Sequence, residues 1–300
     1  MKSIDLHIHS NTDCNLSCKH CYNNSGEGKT ERIDLTELKR YLEITSQIYD
    51  CDIHLEGGEI FLYPELFDIL YDLDDSILKS ITITTNGTIK VQNTNVISVL
   101  KRINALRISV EGHTQEIHEK VRNSSLDFVL TNGIALLNMG INVVLRITLN
   151  RYNQDSLLID GITKFYQYGY KKIQIYEFQE VGRGNNNAFS ITCDFKQIFK
   201  QFESVAVPVD LKMMLSSRRI QDVQDYPWNH HNLTITYNDE NENGISINAN
   251  GEISLCAWND QEIIANFSQM SNAQILAFLN SRDFFHTCTH CSKVVLHKEP

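Results

Sequence analysis

Cys14-Asn15-Leu16-Ser17-Cys18-Lys19-His20-Cys21-Tyr22 sets three cysteines within eight residues, soon after the alternating stretch Ile4-Asp5-Leu6-His7-Ile8. Alternation with a period of two reads as a strand, so the cysteines belong to the loop at its carboxyl end. Three thiolates on one loop can turn toward a single centre. That suits a cube of iron and sulfide, which takes thiolates at its corners and keeps one iron without a protein ligand. Thiolate spacing alone does not separate iron-sulfur from zinc, and a zinc knuckle stays open at this point. Disulfides are not expected: cysteines this close staple secreted chains, and Met1-Lys2-Ser3-Ile4-Asp5-Leu6 lacks the apolar run of a signal peptide.

Outward from that loop the chain repeats a cycle. Asp34-Leu35-Thr36-Glu37 carries an N-cap acid with a carboxylate three residues on. Leu35, Leu38, Leu42 and Ile48 then follow the helical period, which predicts an amphipathic helix from Asp34 to about Tyr49. Asp52-Ile53-His54-Leu55-Glu56 reads as a strand, and Pro64 opens the next helix near its preferred first position. Further strands are expected at Ile81-Thr82-Ile83-Thr84, at Leu106 to Val110, at Ile141 to Leu149 and at Ile173 to Tyr176. Strands in series with intervening helices are βαβ units, which force a parallel sheet. Counting the strand before Cys14 there are six, two short of a closed TIM barrel. The expected class is α/β, an open partial (β/α)6 barrel of the TIM type with its ligands at the carboxyl ends of the strands.

Past Glu177 the texture changes. Val181-Gly182-Arg183-Gly184-Asn185-Asn186-Asn187 is rich in turn residues and marks the end of the barrel, so residues 1–184 are expected to form it. Residues 185–244 read as an irregular connecting region with a short helix near Phe195 to Ser204. From 245 to 300 the pattern returns: Ile245 to Cys256 alternates around an Asn250-Gly251 turn and reads as a β-hairpin, a helix is expected over Asn272 to Ser281, and Cys288-Thr289-His290-Cys291 closes the region.

The C-N-L-x-C-x-x-C-Y stretch resembles the radical S-adenosylmethionine (SAM) enzymes, and the resemblance extends along the chain. It implies a 4Fe–4S cluster on Cys14, Cys18 and Cys21, whose open iron chelates SAM and delivers the electron that breaks it to a 5'-deoxyadenosyl radical. It assigns Gly57, Gly58 and Glu59 to the methionine amino group. Thr85 and Asn86 of Thr85-Asn86-Gly87 line the cavity, Ser109 and Glu111 lie near ribose and methionine, Arg122 meets the SAM carboxylate, and His20 belongs to the cofactor-binding set. Glu111 stands where the family usually has Asp. Arg146, Asn150 and Asn153 are further cavity candidates, and the Gly182 stretch resembles the end of the sixth strand that borders adenine. The hairpin, helix and closing CxxC resemble the SPASM/twitch auxiliary module, implying a second 4Fe–4S cluster on Cys256, Cys288 and Cys291, with a structural zinc site as the alternative. The cysteine that usually precedes that hairpin is missing, which leaves Cys193, a non-cysteine group or nothing as fourth ligand. Cys193 and Cys51 are also candidate hydrogen donors.

Composition sets the outer bounds. A chain of 300 residues with 42% apolar and 21% charged content is an ordinary globular protein. A net charge of -10 argues against nucleic acid, and no stretch approaches the roughly 20 apolar residues of a membrane span. Eight cysteines in a reducing compartment point to metal chemistry, and cytoplasm is the expected location. His7-Ile8-His9 resembles the opening of metal-dependent phosphoesterases of the PHP type, but the chain shows no second paired cluster to complete such a centre. The plainer reading puts His7 and His9 on one face of the first strand, opposite Leu6 and Ile8. Layouts of the radical SAM kind modify ribosomally made peptides or rearrange small molecules. A peptide substrate is favoured here, with an electron donor such as flavodoxin or ferredoxin. Only 13 residues precede Cys14, so the substrate is expected to be gripped by the barrel and the irregular 190–243 region or delivered by a separate leader-binding protein. A metal protein that binds a partner without turnover is the distant alternative.

Overall fold

The computed structural model describes residues 1–185, 188–216, 219–224, 233–237, 242–255, 263–281 and 285–286. Its strands are β1 (Lys2–His9), β2 (Tyr49–Glu56), β3 (Ile81–Thr85), β4 (Ala105–Val110), β5 (Val143–Leu149), β6 (Lys172–Glu177), β7 (Asp210–Leu215), β8 (Leu233–Tyr237), β9 (Glu242–Ile247), β10 (Glu252–Ser254), β11 (Ala265–Asn266) and β12 (Phe285–His286). They form one sheet ordered β11-β10-β9-β1-β2-β3-β4-β5-β6-β7-β8, with β12 beside β9. Every pairing from β1 through β8 is parallel. The series of βαβ units expected from the sequence is therefore present as a parallel α/β sheet of the partial-barrel kind.

Local chemistry explains the helices between them. These are α1 (Leu35–Ile48), α2 (Glu65–Tyr71), α3 (Asp75–Leu78), α4 (Thr94–Arg102), α5 (Gln115–Arg122), α6 (Leu126–Asn138), α7 (Ser156–Tyr168), α8 (Phe195–Phe202), α9 (Ile220–Gln224) and α10 (Asn272–Ser281). Asp34 caps α1 by accepting the Glu37 amide at 3.0 Å, and Asn93, Thr114 and Ser125 cap α4, α5 and α6 in the same way. Each such cap contributes about 1 kcal/mol and fixes where its helix begins. Pro64 lies one position earlier than expected, as the N-cap of α2.

The alternation of each strand sorts its side chains between two layers. Ile4, Leu6 and Ile8 of β1, Ile53 and Leu55 of β2, Ile81 and Ile83 of β3, and Leu106 and Ile108 of β4 are all buried beneath the helices. At roughly 1.5 to 3 kcal/mol per buried side chain, this apolar layer supplies the main drive for folding. The opposite residues carry the polar chemistry. His7, His9, His54, Glu56, Thr84, Arg107, Ser109 and Arg146 alternate with the apolar set, and several of them bond to one another across the lumen. His7 and His9 thus take the plainer of the two readings given above.

Two features go beyond the sequence reading. Within the stretch expected to be irregular, β7 pairs with β6 and β8 with β7, so the parallel sheet continues past six strands. The expected hairpin, β9 and β10, is present, and β9 pairs in parallel with β1, continuous with the barrel sheet. Helix α10, also expected, packs on α1, where Arg40 Nη1 donates to Asn272 Oδ1 at 2.9 Å, and Tyr49 at the start of β2 donates to the Leu279 carbonyl at 2.8 Å. Cys256, Cys288 and Cys291 lie outside the described residues. Among the described residues no helix is long and apolar enough to cross a membrane.

Candidate active site

At the carboxyl ends of the strands lies an open cavity of about 890 Å³, adjoining solvent included. Cys14, Cys18 and Cys21 line it together with His20, Gly57, Gly58, Thr85, Asn86, Ser109 and Arg122. The topology brings these residues together because most of them end or follow a parallel strand at the same end of the sheet, and Arg122, the last residue of α5, returns to it.

The cysteine loop is held by its backbone. The Gly58 amide donates to the Asn11 carbonyl at 2.7 Å and the Glu59 amide to the Asp13 carbonyl at 2.8 Å, extending the β1–β2 pairing into the loop. A Cβ at Gly57 would lie 2.6 Å from the Asn11 oxygen, and one at Gly58 would lie 1.9 Å from the Asp13 oxygen. The glycine pair is thus required by the loop that carries the cysteines, a tighter constraint than the ligand approach expected from the sequence. On the other side the Arg183 amide donates to the Cys21 carbonyl at 3.0 Å. Its side chain reaches the carbonyls of Cys18 (Nε, 2.8 Å) and Ser25 (Nη1, 2.7 Å). Gly182, at φ +57°, lets these backbones meet, since a Cβ there would fall 2.3 Å from the Tyr22 oxygen.

The donor set fits a metal-sulfur group. Cys14 Sγ accepts from the Leu16 amide at 3.4 Å and from Asn86 Nδ2 at 3.8 Å, and Cys18 Sγ faces Arg122 Nη1 at 3.9 Å. Burial pushes the Cys14 thiol up to about 11 and raises the Cys18 thiol as well, Arg122 opposing the second shift. Neither thiol gives up its proton unaided near neutral pH. A bound metal group shares the thiolate charge and draws both into that form.

Several of the expected site residues stand elsewhere, Asn150 and Asn153 among them. Glu59 is fully buried, and its carboxylate accepts from Thr85 Oγ1 at 2.6 Å, the Asn86 amide at 2.7 Å and the Phe61 amide at 3.3 Å. With these bonds it ties the β2 turn to the β3 turn and does not line the cavity. Glu111, also fully buried, takes Arg122 Nε at 2.7 Å, His20 Nε2 at 2.9 Å and Asn150 Nδ2 at 3.2 Å, while Asn153 bonds its carbonyl at 2.7 Å. It orients His20 and Arg122, which do line the cavity. Cys193 is not brought to the cavity at all. It packs against the apolar core beside Asp155, and burial raises its thiol to about 11. Cys51 points outward from β2 into the same core, near Ser46. Neither thiol is placed to donate hydrogen to a group in the cavity.

Burial alone would raise the Glu111 carboxyl, but the charges and bonds of His20 and Arg122 outweigh it and hold the group at about 2. A carboxyl lower in the folded than in the unfolded chain adds stability that is complete above about pH 4.5 and lost as pH falls toward 2. Glu111→Gln should remove that part of the acid-denaturation slope. It should also cost on the order of 3 kcal/mol at pH 7, because Arg122 is left buried without its counter-charge. Chemical denaturation at a series of pH values measures both.

Sequence reading did not give Glu56 a role. It ends β2 inside the cavity, where Arg146 Nη1 donates to Oε1 at 2.9 Å, Thr84 Oγ1 approaches at 3.3 Å and the Tyr22 hydroxyl donates to Oε2. The parity of β2 could have found it, since Asp52, His54 and Glu56 share one face. At the other end of the lumen His54 stacks on His7 at 4.7 Å, with Asp5 and Asp52 each 3.7 Å from Nε2. Arg107 donates to His54 Nδ1 at 2.9 Å. Nδ1 therefore accepts, and Nε2 is the ring nitrogen that faces Asp5 and Asp52, each beyond hydrogen-bond distance.

Comparison with known proteins agrees with this geometry. The profile of the Radical SAM superfamily matches residues 8–158, which is half of the chain, and the chain belongs to that superfamily. Its fold is one that binds a 4Fe–4S cluster and SAM, and membership marks the chain as an enzyme of that class. Among relatives, the antilisterial bacteriocin subtilosin biosynthesis protein AlbA of Bacillus subtilis is 24% identical over 58% of this chain and 39% of its own length. A GTP 3',8-cyclase of Staphylococcus epidermidis is 26% identical over 66% of this chain and 61% of its own. The chain thus spans less than two thirds of each relative. In fold it is similar to Streptococcus suis SuiB bound to precursor peptide SuiA, with a TM-score of 0.70 at 14% identity, over 91% of this chain and 64% of that one.

Proposed function

We propose that this protein cleaves SAM reductively and uses the radical formed to abstract hydrogen from a residue of a peptide substrate, as in ribosomal peptide modification by crosslinking or epimerisation. The observation that carries the reading is the meeting of Cys14, Cys18 and Cys21 with the Gly57-Gly58 turn, Ser109 and Arg122 on one cavity. Cys14, Cys18 and Cys21 would hold a 4Fe–4S cluster, which would supply the electron that breaks SAM. The chain's own residues set the conditions for that step. Arg183 and the Gly58 turn hold the loop, Asn86 and Arg122 place N–H groups on the sulfurs, and Glu111 orients His20 and Arg122. Similarity to AlbA and to peptide-bound SuiB supports a peptide substrate. The 26% identity to a GTP 3',8-cyclase favours, as second reading, a small-molecule cyclase or dehydrogenase.

The organisation proposed with it is a barrel over residues 1–184, a connecting region over 185–244 and an auxiliary module over 245–300, with Cys256, Cys288 and Cys291 on a second cluster. A flavodoxin- or ferredoxin-like donor, a separate leader-binding protein and a cytoplasmic location complete the proposal. Anaerobically reconstituted protein should carry about 8 irons per chain, and a variant lacking the three N-terminal cysteines about half. Zinc in that variant would replace the auxiliary cluster with a structural zinc site. Mass spectrometry of a candidate peptide tests the substrate. Loss of two hydrogens means a crosslink or desaturation, and one deuterium gained in heavy water without other mass change means epimerisation. Turnover of only a nucleotide, sugar or free amino acid overturns the peptide reading.

A further inference from the structure

The cavity lining carries three arginines and two glutamates, and accounting for their partners singles out one of them. Glu177 is met by the Ser216 amide at 2.9 Å and Arg219 Nε at 3.0 Å, and Glu56 by Arg146, Thr84 and Tyr22. Arg122 is bonded to Glu111, and Arg183 is spent on the carbonyls of Cys18 and Ser25.

Arg146 differs. Its acceptors among the described residues are Glu56 Oε1 at 2.9 Å and Thr84 Oγ1 at 3.5 Å, and both are reached by the same nitrogen, Nη1. The guanidinium lies over the Tyr176 ring, whose centroid is 4.2 Å from Cζ. A planar cation pinned at one corner and stacked on one face presents its remaining N–H edge in a set direction. That edge, Nε with Nη2, has the fork that matches both oxygens of a carboxylate. Strand register places the site. Arg146 pairs with Ser109 on β4 and Gln174 on β6, and it crosses the lumen to the end of β2.

We propose that Arg146, braced by Glu56 and Tyr176, anchors an ionised carboxylate of the substrate, either an acidic side chain or a free C-terminus. This rests on the radical reading above and deepens it by naming what the substrate must carry. Glu56 and Tyr22 then serve as positioning residues that hold the guanidinium in place.

The test uses anaerobically reconstituted full-length protein with SAM bound and three probes: N-acetylglutamate N-methylamide, its glutamine isostere, and N-acetylalanine with a free terminal carboxylate. Calorimetry should show at least one carboxylate probe binding about tenfold tighter than the isostere, the worth of a charge-assisted bidentate pair in a partly desolvated site. Which of the two binds identifies the source of the carboxylate. Arg146→Gln alone strands the buried Glu56 charge, so the informative protein is Arg146→Gln with Glu56→Gln. It should lose the preference, while SAM affinity stays within about twofold. Equal binding of all three probes to the unaltered protein overturns the assignment. So does a tenfold loss of SAM affinity in the double variant, which would give Arg146 to the cofactor's carboxylate. 5'-Deoxyadenosine formation by the same unaltered protein keeps the two ideas apart: its absence sinks the radical reading, and its presence without a carboxylate preference sinks only the anchor.

Discussion

Cys18→Ala is expected to leave a folded protein that forms no 5'-deoxyadenosine from SAM under strong reductant. Cys18 is the central thiol of the loop and is buried, with Arg122 Nη1 at 3.9 Å from its sulfur. Removing it leaves two thiolates for a cube that needs three, and the charge of Arg122 loses a partner. The fold has little reason to fail, because the loop is tied through the backbones of Asn11, Asp13 and Cys21, none of which the substitution touches. The expected loss is more than about a hundredfold, since the electron donor is lost outright. Product chromatography with circular dichroism as folding control decides it. Undiminished 5'-deoxyadenosine from this variant removes the cluster from Cys18.

Gly58→Val is expected to act as strongly by a different route. Its Cβ would need the space held by the Asp13 carbonyl, 1.9 Å away, and that carbonyl also receives the Glu59 amide and Asn11 Nδ2. Neither backbone can yield alone, so the loop must leave its seat on β2. Overpacking of this kind costs about 1 to 3 kcal/mol or more, and the first structure lost is the cysteine loop. Reconstituted protein should retain the barrel by circular dichroism, with a lower melting temperature and the iron of the N-terminal site missing. Gly26→Ala is the matched control. It lies on the same loop, but its added Cβ would meet Ser17 Oγ at an ordinary 3.5 Å, so iron content and activity should hold. A Gly58→Val protein with full iron would show that the turn does not seat the loop.

The barrel was legible because its signals are local. Asp34, Asn93, Thr114 and Ser125 announce their helices with their own side chains, and the two-residue alternation of β1 to β6 survives because one layer is apolar. β7 and β8 were missed for the converse reason. Met213, Met214 and Leu211 carry little turn chemistry to frame them, and they become a strand through pairing with β6, which lies more than 30 residues away. The cavity residues were found by the spacing of short motifs, and spacing says which stretches meet without saying which atoms face inward. Hence Glu59 and Glu111 were placed on the ligand, whereas each lies behind the lining and fixes its neighbours. Glu56 escaped a role, and Arg146 was read only as a cavity candidate, because the bond between them spans 90 residues and no motif records it.

The pairing of β9 with β1 bears on how the chain keeps itself apart from others. Without residues 242–247, β1 would be the border of the sheet, and the row of main-chain donors and acceptors at Asp5 to Ile8 that now meets β9 would stand bare. Borders of that kind recruit strands from neighbouring molecules. The strand at risk is the one that leads straight into the cysteine loop. The C-terminal hairpin therefore acts as a selvedge: it finishes the cloth at the place where the cofactor-binding thread begins, so that the first strand pairs within its own chain.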